Sequence, residues 1–143
     1  MVIAETGLHQ PRKGTIERVF GFFLRLLAVY ALISGLVYWA GLTGIAGGGQ
    51  WRFDLLAPSV RIVFTTLAVL MPAAALGLWL ATRWGVVLWV LAATAEIAAY
   101  MFLTGTYSLR AGIAGANMIG LIGLVLMAGA TLIERRTARI AAP

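Results

Sequence analysis

The sequence predicts an all-α polytopic membrane protein, a bundle of four transmembrane helices. Three observations carry that expectation. Residues counted as hydrophobic make up 62% of the chain and charged residues 11%, against roughly 45–50% and 25% in soluble domains. A water-soluble domain of 143 residues has no interior large enough to hide that much apolar surface. The apolar residues also fall into four runs of spanning length, and most basic residues stand beside the ends of those runs, where they orient membrane helices.

The chain opens with a polar stretch, residues 1–18, that includes Pro11, Arg12 and Lys13. It holds no apolar run long enough for a signal-peptide core and is expected to be a cytoplasmic tail. Residues 19–42 are apolar apart from Arg25. At about 1.5 Å per residue they cross a hydrocarbon core of roughly 30 Å. Residues 43–59 mix Gly47, Gly48 and Gly49 with Trp51, Arg52, Phe53 and Asp54, the make-up of an outer loop with aromatics at the interface. The glycine run lacks the Lys-Ser/Thr ending of a phosphate-binding loop and is expected to be a hinge. Ser59 is placed to cap a second span, residues 60–81, which contains Pro72. Thr82, Arg83, Trp84 and Gly85 are expected to form a tight turn into a third span, residues 86–104. The fourth span is expected at 111–133, and residues 134–143 form a second tail.

With the first tail inside, the cytoplasmic side holds Arg12, Lys13, Arg18, Arg83, Arg135, Arg136 and Arg139, and the outer side Arg52, Arg61 and Arg110. Seven against three leads to the expectation that both ends are cytoplasmic. The formal charge of +6 is thereby explained by orientation, and no nucleic-acid partner is expected. The absence of cysteine excludes disulfides, thiolate metal sites and covalent haem. With His9 the only histidine, a bis-histidine haem is excluded too, so neither metal nor cofactor is expected.

Glu96 breaks the third span about ten residues in, roughly 15 Å deep and close to the expected midplane. An ionisable residue there costs roughly 2.5–3.5 kcal/mol, and each of the eight Leu, Ile, Val and Phe residues of that span returns about 0.3–0.6. The third span is therefore expected to insert with the second, with Glu96 turned toward other helices. Its helical face carries Trp89, Ala92, Ala93, Ala99, Tyr100 and Leu103. Pro72 frees the carbonyl of Ala68, which needs a donor in lipid. A protonated Glu96 is expected to donate near this kink or to Asn117; an ion pair with Arg25 is the alternative, unless Arg25 reaches to the headgroups instead. Gly112, Ala116, Gly120 and Gly123 form a small-residue row on the fourth span, open either to internal packing or to a partner. Trp39, Trp51, Trp79 and Trp84 stand at span ends as interfacial anchors.

The stretches Val29-Tyr30 through Tyr38-Trp39, Trp51 to Leu56, and Leu88-Trp89 through Glu96 and Tyr100 resemble an uncharacterised family of small four-span inner-membrane proteins of alphaproteobacteria. The resemblance covers about Arg18 to Tyr100, with the fourth span alike only in character. It implies the four-span fold and directs attention to Trp51, Arg52, Phe53, Asp54 and Glu96, without implying a reaction. Likeness to small multidrug-resistance transporters is weaker, because their embedded glutamate lies in the first span. The leading functional expectation is a non-enzymatic accessory or scaffold component that binds other membrane proteins or lipids, within a larger complex or a homo-oligomer. Trp51 to Asp54 would be its outer recognition surface. An oligomeric proton-coupled transporter using Glu96 is the alternative. Enzymatic work on a lipid or quinone would rest on Glu96 and Tyr100 alone.

Overall fold

A computed structural model describes residues 15–45, 53–55, 57–102 and 111–140, with side chains 111, 135 and 138–140 left out of the description. Four helices are present among the described residues: α1 (Thr15–Leu42), α2 (Pro58–Trp79), α3 (Arg83–Phe102) and α4 (Ala111–Ile140). Each is long and apolar enough to cross a membrane. Gly47 to Gly49, Trp51, Arg52, Leu103 and the 103–110 connection lie outside the described residues.

Close pairs fix how the helices run. Tyr38 stacks edge-on against Phe64, with ring centroids 5.2 Å apart, and Gly35 meets Pro72. Rising numbers in α1 therefore meet falling numbers in α2. Gly77 meets Gly85 between α2 and α3, Trp89 meets Gly120 between α3 and α4, and Leu27 meets Gly120 between α1 and α4. Neighbours are antiparallel throughout, in a ring that follows chain order, as in an up-down-up-down bundle. The start of α1, the α2–α3 turn and the end of α4 consequently lie at one end. The core is built from Leu24, Leu27, Ala31, Phe64, Leu67, Met71, Leu78 and Trp89 together with small alanines. It lies mainly among α1, α2 and α3, and α4 is the least buried helix.

Several boundaries differ from expectation. Ser59 does not cap α2: Pro58 takes the first helical position, where its missing N–H is no loss, and Ala57 precedes it without a side-chain cap. The turn is Leu80-Ala81-Thr82, so Arg83, Trp84 and Gly85 already belong to α3. Thr82 N–H donates to Gly77 O at 2.9 Å and Ala81 N–H to Leu78 O at 2.9 Å, with Ala81 at φ 52°. That is the paired closure of a Schellman cap. The Thr82 hydroxyl also donates to Gly77 O at 2.8 Å and accepts from Gly85 N–H at 3.4 Å, ending one helix and capping the next. α4 continues to Ile140, through residues assigned to a tail, because 134–139 is rich in Glu, Arg and Ala and free of Gly and Pro.

Candidate functional site

Glu96 projects from α3 into the interior at 2% exposure, beside Asn117 of α4 at 0%. The Asn117 Nδ2 donates to Glu96 Oε2 at 2.6 Å. Trp89, Ala92, Ala93 and Ala99 on the same face are buried, and the alanines let neighbouring backbones approach. With α3 starting at Arg83, Glu96 stands roughly 20 Å from that end. The helix starts three residues before the expected Val86, which lengthens the expected distance of roughly 15 Å from that end accordingly.

Tyr30 and Ser34 of α1, not singled out from the sequence, complete the cluster. Tyr30 donates its hydroxyl to Ile113 O of α4 at 3.3 Å, and Ser34, buried one turn along, lies on the same helical face. A legible signal existed: Tyr30, Ser34 and Tyr38 recur every fourth residue, which is a polar row on a single helical face. The cluster therefore ties α1, α3 and α4 together. Within it, Asn117 Oδ1 is buried without a hydrogen-bond partner among the described residues, as is Trp89 Nε1 two turns away on α3.

The other expected residues are distributed around this cluster. Arg25 is on the exposed face of α1 and makes no bond to Glu96, so the ion pair is not formed. Tyr100 is half-buried against the core and is not bonded to Glu96. The carbonyl freed by Pro72 is met by Trp39, whose Nε1 donates to Ala68 O at 2.9 Å, while the Glu96 carboxyl accepts from Asn117. Trp39 thus has a structural bond as well as a face that is 50% exposed. α2 runs unbroken through Pro72, which nests on Gly35: a Cβ there would come within 2.7 Å of Pro72 Cγ and Cδ.

The α4 row divides. A Cβ at Gly120 would lie 2.7 Å from Trp89 Cη2, and one at Gly123 would lie 2.8 Å from Phe23 Cζ, whereas Gly112 has open space and Ala116 is exposed. Each step of four residues advances a helix by 400°, so such a row slews about 40° per step away from the face centred on Asn117. At the opposite end from the tails, the Arg61 guanidinium lies over the Phe53 ring, 4.5 Å from its centroid, and donates to Asp54 O at 3.4 Å. The loop also returns to α1, since Phe53 N–H donates to Leu42 O at 3.3 Å.

A family of unknown function, DUF6163, matches the chain over residues 18–135. The chain belongs to the DUF6163 family. The match spans all four helices, so the DUF6163 region continues through α4, beyond the Tyr100 limit of the resemblance read from sequence. Glu96, Asn117, Tyr30 and Ser34 all fall inside it. No curated protein matches the chain, and no solved structure does.

Proposed function

We propose that this DUF6163 chain is a non-enzymatic, multi-pass protein of a bacterial inner membrane, with both ends cytoplasmic, acting as an accessory or scaffold component for other membrane proteins. The observation supporting this is the use of its interior polar groups. Asn117 to Glu96, Tyr30 to Ile113 and Trp39 to Ala68 are all bonds between helices. Such bonds hold a bundle together where hydrophobic attraction between helices is weak. Met118, Ile119, Ile122, Val125 and Leu126 meanwhile leave the outward side of α4 exposed, open to lipid or to a partner helix. Purification from native membranes in mild detergent, with mass spectrometry of what travels with the chain, tests the reading. A stoichiometric foreign membrane protein is the expected outcome, and a homo-oligomer free of partners would defeat it.

The transporter reading draws support from a different observation, the buried Asn117 Oδ1 beside the Glu96 carboxyl. An acceptor there gives a proton on Glu96 a place to bond. Substrate-dependent proton release from the wild type that disappears in Glu96→Gln would favour this reading over the scaffold.

A further inference from the structure

The tail-bearing end of the bundle brings together basic residues from three separate helices. Arg18 lies in the first turns of α1, Arg83 opens α3, and Arg136 lies in the part of α4 beyond its apolar stretch; all three are exposed. None makes a hydrogen bond or ion pair with a described residue. The sequence adds Arg12 and Lys13 ahead of α1 and Arg135 and Arg139 on α4, against Glu5, Glu17 and Glu134. Trp79 and Trp84 are exposed at this same end, beside the α2–α3 turn. Indoles settle at the carbonyl level of a leaflet and arginines at its phosphates. The opposite end differs in kind, since Arg61 is engaged by Phe53 and Asp54.

We propose that this end is a binding surface for anionic phospholipid headgroups, with Arg18, Arg83 and Arg136 as phosphate ligands. The inference rests on the chain being a membrane protein and is independent of any protein partner. Charge complementarity selects the occupant: juxtamembrane arginines gain from an anionic leaflet and not from a zwitterionic one.

The test uses the full chain in detergent, offered phosphatidylglycerol and phosphatidylcholine with the same acyl chains, with bound lipid counted by native mass spectrometry. The wild type is expected to retain phosphatidylglycerol preferentially. That preference should fall about fivefold for each arginine changed to Gln, survive Arg→Lys at the same positions, and be unaltered in Arg61→Gln. The three single substitutions carry the same comparison if the triple Gln variant does not fold. Equal retention of the two lipids by wild type, or equal loss in Arg61→Gln, would overturn the assignment. So would displacement of the lipid by millimolar inorganic phosphate, which would mark a site for free phosphate. Stable extraction into detergent with no lipid preference would defeat this surface while leaving the scaffold reading standing.

Discussion

Burying a primary amide costs folding free energy unless its polar atoms are met by partners, and among the described residues Asn117 has a partner at Nδ2 and none at Oδ1. Glu96→Gln keeps an acceptor for Nδ2 and adds a donor for Oδ1, so its thermal stability should stay within about 1 kcal/mol of wild type. Glu96→Ala removes the acceptor and strands the amide, at a cost of about 2–4 kcal/mol once the lost packing is included. Thermal unfolding in detergent separates the two, and equal losses would mean that the carboxyl itself, and not a hydrogen-bonding group of its shape, holds α4. Trp39→Phe keeps most of the ring and removes the donor to Ala68 O, which should cost about 1–3 kcal/mol, read the same way; no loss would mean that another donor serves the kink. Pro72 made the need for that donor legible in the sequence. The donor's identity was not legible, because it depends on α1 crossing α2 at the Gly35 notch, a contact between residues far apart in the chain. Glu96 and Asn117 were readable for a plainer reason: an acid and an amide stand out in apolar spans. Tyr30 and Ser34 were harder to notice, since hydroxyl-bearing residues are common in such helices.

Within single elements, the α2–α3 connection carries the sharpest constraints. Gly77 and Gly85 meet backbone to backbone, and a Cβ at either would strike the other chain segment. Gly85→Ala must therefore part the two helices, with an expected loss of about 3 kcal/mol or more. Ala81 occupies a left-handed conformation at φ 52°, which glycine adopts without strain. Ala81→Gly should accordingly raise stability by about 1 kcal/mol. A melting temperature lower than wild type would show that the turn is held by something other than this cap. The fourth helix offers a paired comparison: Gly120→Ala presses on the buried Trp89 ring and should cost about 1–3 kcal/mol, whereas Gly112→Ala enters open space and should be neutral or gain up to about 1 kcal/mol in helix propensity. From sequence the row read as one surface, since spacing by four marks a face only over short lengths. Which of its members are buried depends on where α3 and α1 lean, and spacing alone does not contain that.

Across the whole molecule, four apolar runs dictated four helices, because a spanning segment has to satisfy its backbone internally and α-helix does so. Their order around the bundle was not legible, nor was the length of α4, whose helical continuation past the apolar stretch depends on propensity that the charge count does not reveal. The antiparallel ring places Thr15 of α1 and Thr137 of α4 at one end and Leu55 of the α1–α2 connection at the other, and all three are exposed. If the helices span the membrane, this arrangement fixes two sides, and the proposed orientation puts the end with Arg18, Arg83 and Arg136 on the cytoplasmic one. The chain has no cysteine, so single substitutions report without background. A membrane-impermeant maleimide applied to intact cells should label Leu55→Cys and spare Thr15→Cys and Thr137→Cys, and all three should react once the membrane is opened. Labelling of Thr15→Cys without Thr137→Cys would contradict a four-span crossing. Labelling of both tails with Leu55→Cys protected would keep the bundle and reverse its orientation, moving the exposed arginines away from the cytoplasmic leaflet.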